Sequence, residues 1–177
     1  ASQASAISLG DWAFYGADIE SVTFATIKNP SGKTATVAIN ESTFQSDAAT
    51  EQAKVVTFGE ISMTANTAAN NLDVTVDDNA FRYGVSTVTF SNVKANALSF
   101  GDNAFESSKL QSVVFGNVYA NNFTVGDNAF LGSDAFATAT VGALAPVNAN
   151  GAVAIGANAF QGGVKDVTIG NLSAKEH

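Results

Sequence analysis

The chain has 177 residues and a formal net charge of −8, and it contains no cysteine. The negative surface, which no basic cluster interrupts, repels phosphate groups, so nucleic acid and anionic membrane surfaces are not expected as partners. Without cysteine there are no disulfides and no zinc–cysteine sites, and no apolar run approaches the roughly 20 residues that a membrane-spanning helix needs, so membrane insertion is not expected.

A five-residue phrase recurs six times along the chain. It reads GDWAF, NESTF, DDNAF, GDNAF, GDNAF and GANAF, and its copies end at Phe14, Phe44, Phe81, Phe105, Phe130 and Phe160. A period of this size indicates a stack of small units, none of which buries its apolar side alone. We therefore predict one repeat domain over residues 1–177, centred on these six Phe residues. Because the chain opens at Ala1 without Met, we interpret it as a processed form or as cut from a longer protein.

Each unit contains two predicted strands, and residues 110–133 give the clearest copy. The first strand is predicted to point Leu110, Val113, Phe115 and Val118 inward and Gln111, Ser112 and Val114 outward. The second strand covers residues 123–125, whose alternation has the period of a strand. The first strand recurs at residues 22–24, 56–58, 88–90, 113–115, 139–141 and 167–169, and the second at 7–9, 37–39, 74–76, 98–100, 123–125 and 153–155. Stacked in register, these triplets predict two parallel ladders with about 4.8 Å between neighbouring units.

The phrase itself is interpreted as a turn in which each residue has a packing role. Gly126 is expected to take a positive φ, and Asp127 to cap a short helical turn by accepting backbone N–H bonds. Ala129 is small enough to fit under the neighbouring unit, and Phe130 fills the interior. Insertions at residues 28–36, 45–54, 62–72 and 145–152 are expected to leave the stack as loops on one edge, either as binding loops or as neutral additions.

The strand pattern followed by Val-Gly-Asp-Asn-Ala-Phe-x-Gly resembles the BspA-like class of leucine-rich repeats over essentially the whole chain. The resemblance implies an α/β repeat fold: a β-dominated, right-handed leucine-rich-repeat-type solenoid of about six coils with short helical turns. It also implies a bacterial cell-surface or secreted protein that binds host or microbial partners. The chain departs from the family pattern where its usual Cys is replaced by Ser108, Ser133 or Gly163.

Residues with catalytic or metal-binding potential are sparse. The single histidine, His177, ends the chain and is a poor general base. Acidic residues recur at Asp11, Asp78, Asp102 and Asp127, and such a column suggests either Ca²⁺ ligands or turn caps. We favour turn caps because Glu41 and Ala157 interrupt the column. No catalytic residue, cofactor or metal is predicted, and the chain is not expected to be an enzyme.

The candidate binding face is a row of threonines at one outward strand position, with a single valine in it. We define this first row as Thr23, Thr57, Thr89, Val114, Thr140 and Thr168. It admits three interpretations: a face that binds protein or glycan, an ice-binding face, or simply the β-propensity of threonine on a solvated strand. Ice binding is expected to require two threonines per unit on one face, and this row provides only one.

The sequence therefore predicts a non-enzymatic adhesion or recognition protein. We expect it to be extracellular or displayed on the cell surface, with an extracellular protein or glycan as its partner. The alternatives are a structural spacer that presents another domain and, more remotely, an ice-binding solenoid. Since the ends of a stack expose its core, each end is expected to be capped by the chain's own termini, to mediate end-to-end self-association, or to continue into a longer array.

Overall fold

The structure, a computed structural model, describes residues 6–29, 34–47, 54–63, 71–106, 110–132, 138–141, 144–145, 152–162 and 165–170. Within these ranges the chain forms strands and turns and no helix. The strands are β1 (Ala6–Leu9), β2 (Ser21–Phe24), β3 (Ile27–Asn29), β4 (Thr34–Ile39), β5 (Lys54–Phe58), β6 (Ile61–Met63), β7 (Asn71–Val76), β8 (Val85–Phe90), β9 (Val93–Phe100), β10 (Ser112–Phe115), β11 (Val118–Val125), β12 (Thr138–Val141), β13 (Leu144–Ala145), β14 (Ala152–Ile155) and β15 (Asp166–Ile169).

The smaller of two sheets contains the first predicted strand of every unit. Its six strands lie in the order β2, β5, β8, β10, β12 and β15, and all of its pairs are parallel. Val56 of β5 lies opposite Val22 of β2 and Val88 of β8, so equivalent residues of successive units are direct neighbours. The predicted in-register stacking of the units is confirmed.

The larger sheet has nine strands and contains the second predicted strand of every unit. Its path runs β1, β4, β7, β9, β11 and β13, while β14 pairs with β11 and β6 pairs with both β3 and β9. Strands β9 and β11 are eight residues long, because no insertion interrupts the chain in those units. In three other units the insertions at 28–36, 62–72 and 145–152 separate two shorter strands, although parts of these segments lie outside the described residues.

The predicted α/β leucine-rich-repeat-type solenoid with short helical turns is wrong. The described residues form an all-strand fold of two parallel sheets, and each phrase is a turn. The physical reason lies in the third residue of the phrase, which takes a left-handed conformation: φ is 58° at Asn79 and 55° at Asn103, Asn128 and Asn158. A residue in that region ends a right-handed helical turn. Asparagine is one of the few residue types that tolerate it.

The core consists of the inward side chains of both sheets and the Phe of each phrase. The Phe residues of the six phrases form one continuous stack. Successive ring centroids lie 4.8–5.1 Å apart, and the rings are within 5° of parallel. A second stack runs through the smaller sheet, from Phe24 through Phe58 and Phe90 to Phe115. The predicted inward residues Leu110, Val113, Phe115 and Val118 are buried, and Gln111 is exposed. The spacing of the rings matches that of neighbouring parallel strands, so the aromatic side chains repeat with the backbone.

Asp78, Asp102 and Asp127 bind the next unit rather than capping their own turns, and the capping prediction is therefore wrong for these three residues. Asp78 Oδ1 accepts a hydrogen bond from the backbone N–H of Asp102 across 2.7 Å, and Asp102 Oδ1 accepts one from Asp127 across 2.8 Å. Asp127 Oδ1 accepts one from Ala157 N–H across 2.7 Å. We call this series the aspartate ladder. It ends at Ala157, which has no carboxylate to continue it.

The phrase glycines are needed for close packing and not for a positive φ, which corrects the prediction for Gly126. The two glycines with positive φ in the described residues are Gly16 and Gly162. A Cβ at Gly126 would lie 2.7 Å from Asp102 Oδ1 and 2.7 Å from the carbonyl carbon of Gly101. The preceding unit therefore occupies the space where a side chain would stand.

Candidate functional site

The first row lies across the smaller sheet as an unbroken line of direct neighbours. Thr23 pairs with Thr57, and Thr57 with Thr89. Val114 lies between Thr89 and Thr140, and Thr140 pairs with Thr168. All six predicted residues are thus brought together at one strand position.

The strand alternation of the smaller sheet positions this row. On β8, Val88 and Phe90 are buried, so Thr89 between them faces away from the core. Thr23 and Thr168 are exposed at the two edges of the sheet, whereas Thr57, Thr89 and Val114 are half-buried by their neighbours. The buried Phe stack beneath holds the strands in register, and with them the spacing of the row.

A second row of residues on the same strand face was not identified from the sequence. We define this second row as Ser21, Val55, Thr87, Ser112, Thr138 and Asp166, which pair in register two residues before the first row. Two units therefore carry threonine in both rows, at Thr87 with Thr89 and at Thr138 with Thr140. The signal was present in the sequence, because residues i and i+2 of a strand share a face. The prediction of only one threonine per unit on this face is wrong for these two units.

The two rows together form what we call the hydroxyl face. Its side chains are serine, threonine and valine, apart from Asp166 at the edge of the sheet on β15. It has neither an aromatic side chain nor a positive charge, so its contacts with a ligand are limited to hydroxyl hydrogen bonds and methyl packing.

The larger sheet also exposes small side chains on its outer face. One line across it consists of Ser8, Ala38, Thr75, Ser99, Thr124 and Ala154. Ala38 on β4 and Ala154 on β14 interrupt this line of hydroxyl groups. Thr75 and Thr124 are exposed threonines on strands, which makes them the natural comparison for residues of the hydroxyl face.

Trp12, Tyr15, Tyr83 and Tyr119, which could stack on sugar rings, belong to neither row of the hydroxyl face. Trp12 and Tyr15 contact each other with ring centroids 4.8 Å apart, and Tyr15 donates a hydrogen bond to Asp47 Oδ1. Tyr119 is exposed on β11 of the larger sheet.

Tyr83 belongs to a polar cluster with Arg82 and Glu106. Its hydroxyl donates to Glu106 Oε1 across 3.0 Å and accepts from Arg82, whose Nε lies 2.8 Å from Glu106 Oε2. Burial lowers the pKa of the Arg82 guanidinium, but the hydrogen bond to Tyr83 and the charge of Glu106 outweigh it, so the pKa is raised above its ordinary value. The cluster joins successive units, because Arg82 and Tyr83 belong to one unit and Glu106 to the next.

The predicted column of Asp11, Asp78, Asp102 and Asp127 has a structural explanation at three of its members, which form the aspartate ladder. Within the described ranges, no group of three or more His, Cys, Asp or Glu side chains is arranged to hold a metal ion. His177 lies outside those ranges.

Comparison of the chain with protein-family models, with curated proteins and with solved structures finds no match. The resemblance to BspA-like repeats stays a prediction based on the phrase and its flanking strands. In the part of the chain that the structure describes, no helix is long and apolar enough to cross a membrane.

Proposed function

We propose that this protein is a non-enzymatic recognition protein of the cell surface or extracellular space, and that it binds its ligand on the hydroxyl face. The observation that carries the proposal is the register of the first row, Thr23 to Thr168, across six parallel strands. A rigid face of equally spaced, uncharged hydroxyl and methyl groups is complementary to a ligand that itself repeats.

The size of the face favours an extended glycan over a globular protein. Six strands about 4.8 Å apart span about 24 Å, and four residues per strand span about 13 Å, which gives an area on the order of 300 Å². A stable protein–protein interface needs about 800 Å² from each partner and relies on Trp, Tyr and Arg at its centre. The hydroxyl face has none of these residues. A sugar chain that crosses the strands fits its length and its hydrogen-bonding groups.

Ice is the second candidate ligand, and the second row favours it. Thr87 with Thr89 and Thr138 with Thr140 place two threonines at alternate strand positions in two of the six units. A periodic array of hydroxyls and methyls on a rigid sheet orders water at regular intervals, and ice is a repeating ligand in the same sense as a glycan. The role of a structural spacer stays as the alternative in which the hydroxyl face binds nothing.

A glycan array and a thermal-hysteresis measurement with one set of variants test these proposals. The variant Thr57→Lys/Thr89→Lys places two long charged side chains in the middle of the hydroxyl face. The control Thr75→Lys/Thr124→Lys makes the same changes at exposed strand positions of the larger sheet. We expect the wild type and the control to bind an extended glycan and the face variant to lose at least tenfold in affinity.

The same proteins separate the alternatives. Thermal hysteresis that only the face variant loses would assign the face to ice. Equal glycan binding by the face variant and the wild type would contradict the proposed site. Absence of both activities, with the face variant fully functional in its native context, would support the spacer.

A further inference from the structure

Core positions of the repeat unit are exposed at the two outermost strands of each sheet. On β14 and β15, Val153, Ile155, Val167 and Ile169 have 54%, 46%, 45% and 36% of their surface exposed. Their counterparts one unit earlier in the larger sheet, Phe123 and Val125, are 4% and 2% exposed. At the opposite edge, Ile7 on β1 is 43% exposed, and Leu9, Val22, Phe24 and Phe14 are only partly covered. Such edges present both apolar side chains and a row of backbone hydrogen-bonding groups.

We propose that these two edges bind each other in separate copies of the chain, so that the protein assembles head to tail. Strand β15 of one copy would pair in parallel with β2 of the next, with Val167 opposite Val22 and Ile169 opposite Phe24. Strand β14 would pair with β1, with Val153 opposite Ile7 and Ile155 opposite Leu9. This is the register that joins every pair of consecutive units within the chain.

The phrases at the two ends fit the same junction. Within the chain, the N–H of Phe130 donates to the carbonyl of Ala159 and the two Phe rings stack. The equivalent contact between copies joins Phe160 to Ala13 and Phe14. Ala13 is exposed, whereas its counterparts Ala80, Ala104, Ala129 and Ala159 are buried.

Gly10 supplies an independent observation. The phrase glycines Gly101, Gly126 and Gly156 are needed because the preceding unit occupies the position of a Cβ. A Cβ at Gly10 would meet nothing within 4 Å. The first phrase therefore keeps the residue that accommodates a preceding unit, and the space for that unit is open.

Opposite charges meet at the proposed junction. Glu20 directly precedes β2, and Lys165 directly precedes β15 at the same position of its unit; both side chains are exposed. Pairing of β15 with β2 places Lys165 beside Glu20 of the next copy.

A heterologous contact of this kind, which uses a different surface on each partner, is open-ended and produces chains of copies rather than closed dimers. It also places Thr168 beside Thr23 and extends the first row from one copy to the next.

Sedimentation velocity of the purified protein across a wide concentration range tests the proposal. We expect dimers and longer species to grow with concentration. The variant Val153→Lys/Val167→Lys blocks one edge at exposed positions, and Ile7→Lys/Val22→Lys blocks the other. Each variant alone should be monomeric. Mixed together they should form a dimer and nothing larger, because each retains one functional edge.

A charge exchange gives a test that does not disturb the apolar edges. Lys165→Glu should raise the dissociation constant about fivefold, and Glu20→Lys should do the same, because each places like charges side by side. The double variant Lys165→Glu/Glu20→Lys should return to the wild-type value. The control Thr75→Lys/Thr124→Lys should assemble like the wild type.

Two outcomes identify other occupants of the edges, and both overturn the proposal. A protein that stays monomeric at every concentration and does not bind the hydrophobic dye ANS has its edges covered by its own residues. A monomer that binds ANS leaves its edges free for a different protein. Failure of the charge exchange to restore assembly would overturn the proposed register.

Discussion

The carboxylate of Asp102 accepts a hydrogen bond from the backbone N–H of Asp127, one repeat unit further along, across 2.8 Å. The same bond joins Asp78 to Asp102. Asp102 and Asp127 therefore each use the backbone N–H to bind the unit before and the side chain to bind the unit after. The aspartate ladder runs from phrase to phrase along the stack of units. Beside it, backbone hydrogen bonds also connect successive turns, such as the bond from Asn103 N–H to the Asp127 carbonyl.

Removing the Asp102 carboxylate should weaken the contact between two units. We expect Asp102→Ala to lower the free energy of unfolding by about 1 kcal/mol, because a charge-assisted but exposed hydrogen bond is lost. Asp102→Asn keeps an Oδ1 acceptor and should lose less than half as much. Asp18→Ala, at an exposed aspartate outside the ladder, is the control and should have little effect. Equal losses for Ala and Asn in urea unfolding would contradict the role of the acceptor.

Substitution of alanine for glycine should lower the free energy of unfolding by different amounts at two of the phrase glycines, Gly126 and Gly10. Gly126→Ala places a Cβ 2.7 Å from Asp102 Oδ1 and from backbone of the preceding unit. We expect a loss of about 1–3 kcal/mol in the free energy of unfolding, since the close-packed backbone cannot move aside freely. At Gly10 the same Cβ meets nothing of its own chain within 4 Å. At protein concentrations too low for head-to-tail assembly, Gly10→Ala should therefore change the free energy of unfolding by less than about 0.5 kcal/mol.

Thermal and urea unfolding of both alanine variants measure this difference. Both glycines lack a positive φ, so backbone strain contributes to neither result. If the two variants lost the same stability, the preceding unit would not be the reason for glycine at position 126.

Much of the strand arrangement could be predicted from the sequence because triplets such as 56–58 and 88–90 repeat with the same apolar and polar positions. That regularity fixes register, since a slip of one residue would turn Val88 and Phe90 outward. The first row of the hydroxyl face followed from the same reasoning. The second row was equally accessible, because Thr87 and Thr138 lie two residues before Thr89 and Thr140 and therefore on the same strand face.

The phrase was misinterpreted because its interactions are not local. Asp127 precedes a turn, and a sequence cannot distinguish an aspartate that caps its own turn from one that reaches the next unit 30 residues later. Gly126 was assigned the positive φ that Asn128 takes. Asparagine at the third position was the available signal, because it tolerates the left-handed region better than most residues. The prediction of a helical turn overlooks this property of asparagine, and it is wrong for that reason.

The left-handed asparagines predict an unusual order of substitutions. At Asn103, where φ is 55°, Asn103→Ala should lower the free energy of unfolding by about 1 kcal/mol. Alanine keeps the Cβ that disfavours the left-handed region but lacks the short polar side chain whose local hydrogen bonds let asparagine adopt it. Asn103→Gly should lose less, since glycine adopts it without a steric penalty. Ser99 on strand β9 is the control position. There Ser99→Gly should lower the free energy of unfolding by about 0.5–1 kcal/mol more than Ser99→Ala does. Glycine worse than alanine at both positions would contradict the importance of the left-handed turn.

The Phe stack predicts that the stability lost when a phrase Phe is replaced by alanine depends on the position of that Phe in the stack. Phe105 is fully buried, and its ring lies 5.1 Å from Phe81 and 4.8 Å from Phe130. Phe105→Ala should lower the free energy of unfolding by about 3–5 kcal/mol, because a large cavity opens between two rings that remain in place. Phe14, at the end of the stack, is partly exposed and stacks on Phe44 alone among the phrase residues. Phe14→Ala should therefore lose less than half as much.

Protein concentration makes the Phe14 measurement more informative. If copies assemble head to tail, Phe14 is covered by Phe160 of the preceding copy, and Phe14→Ala should lose more stability as the concentration rises. Phe105 is covered by its own chain, so the loss for Phe105→Ala should not depend on concentration. Thermal unfolding of both variants at low and high concentration measures this contrast, and a Phe14 effect independent of concentration would contradict a stacked junction at that end.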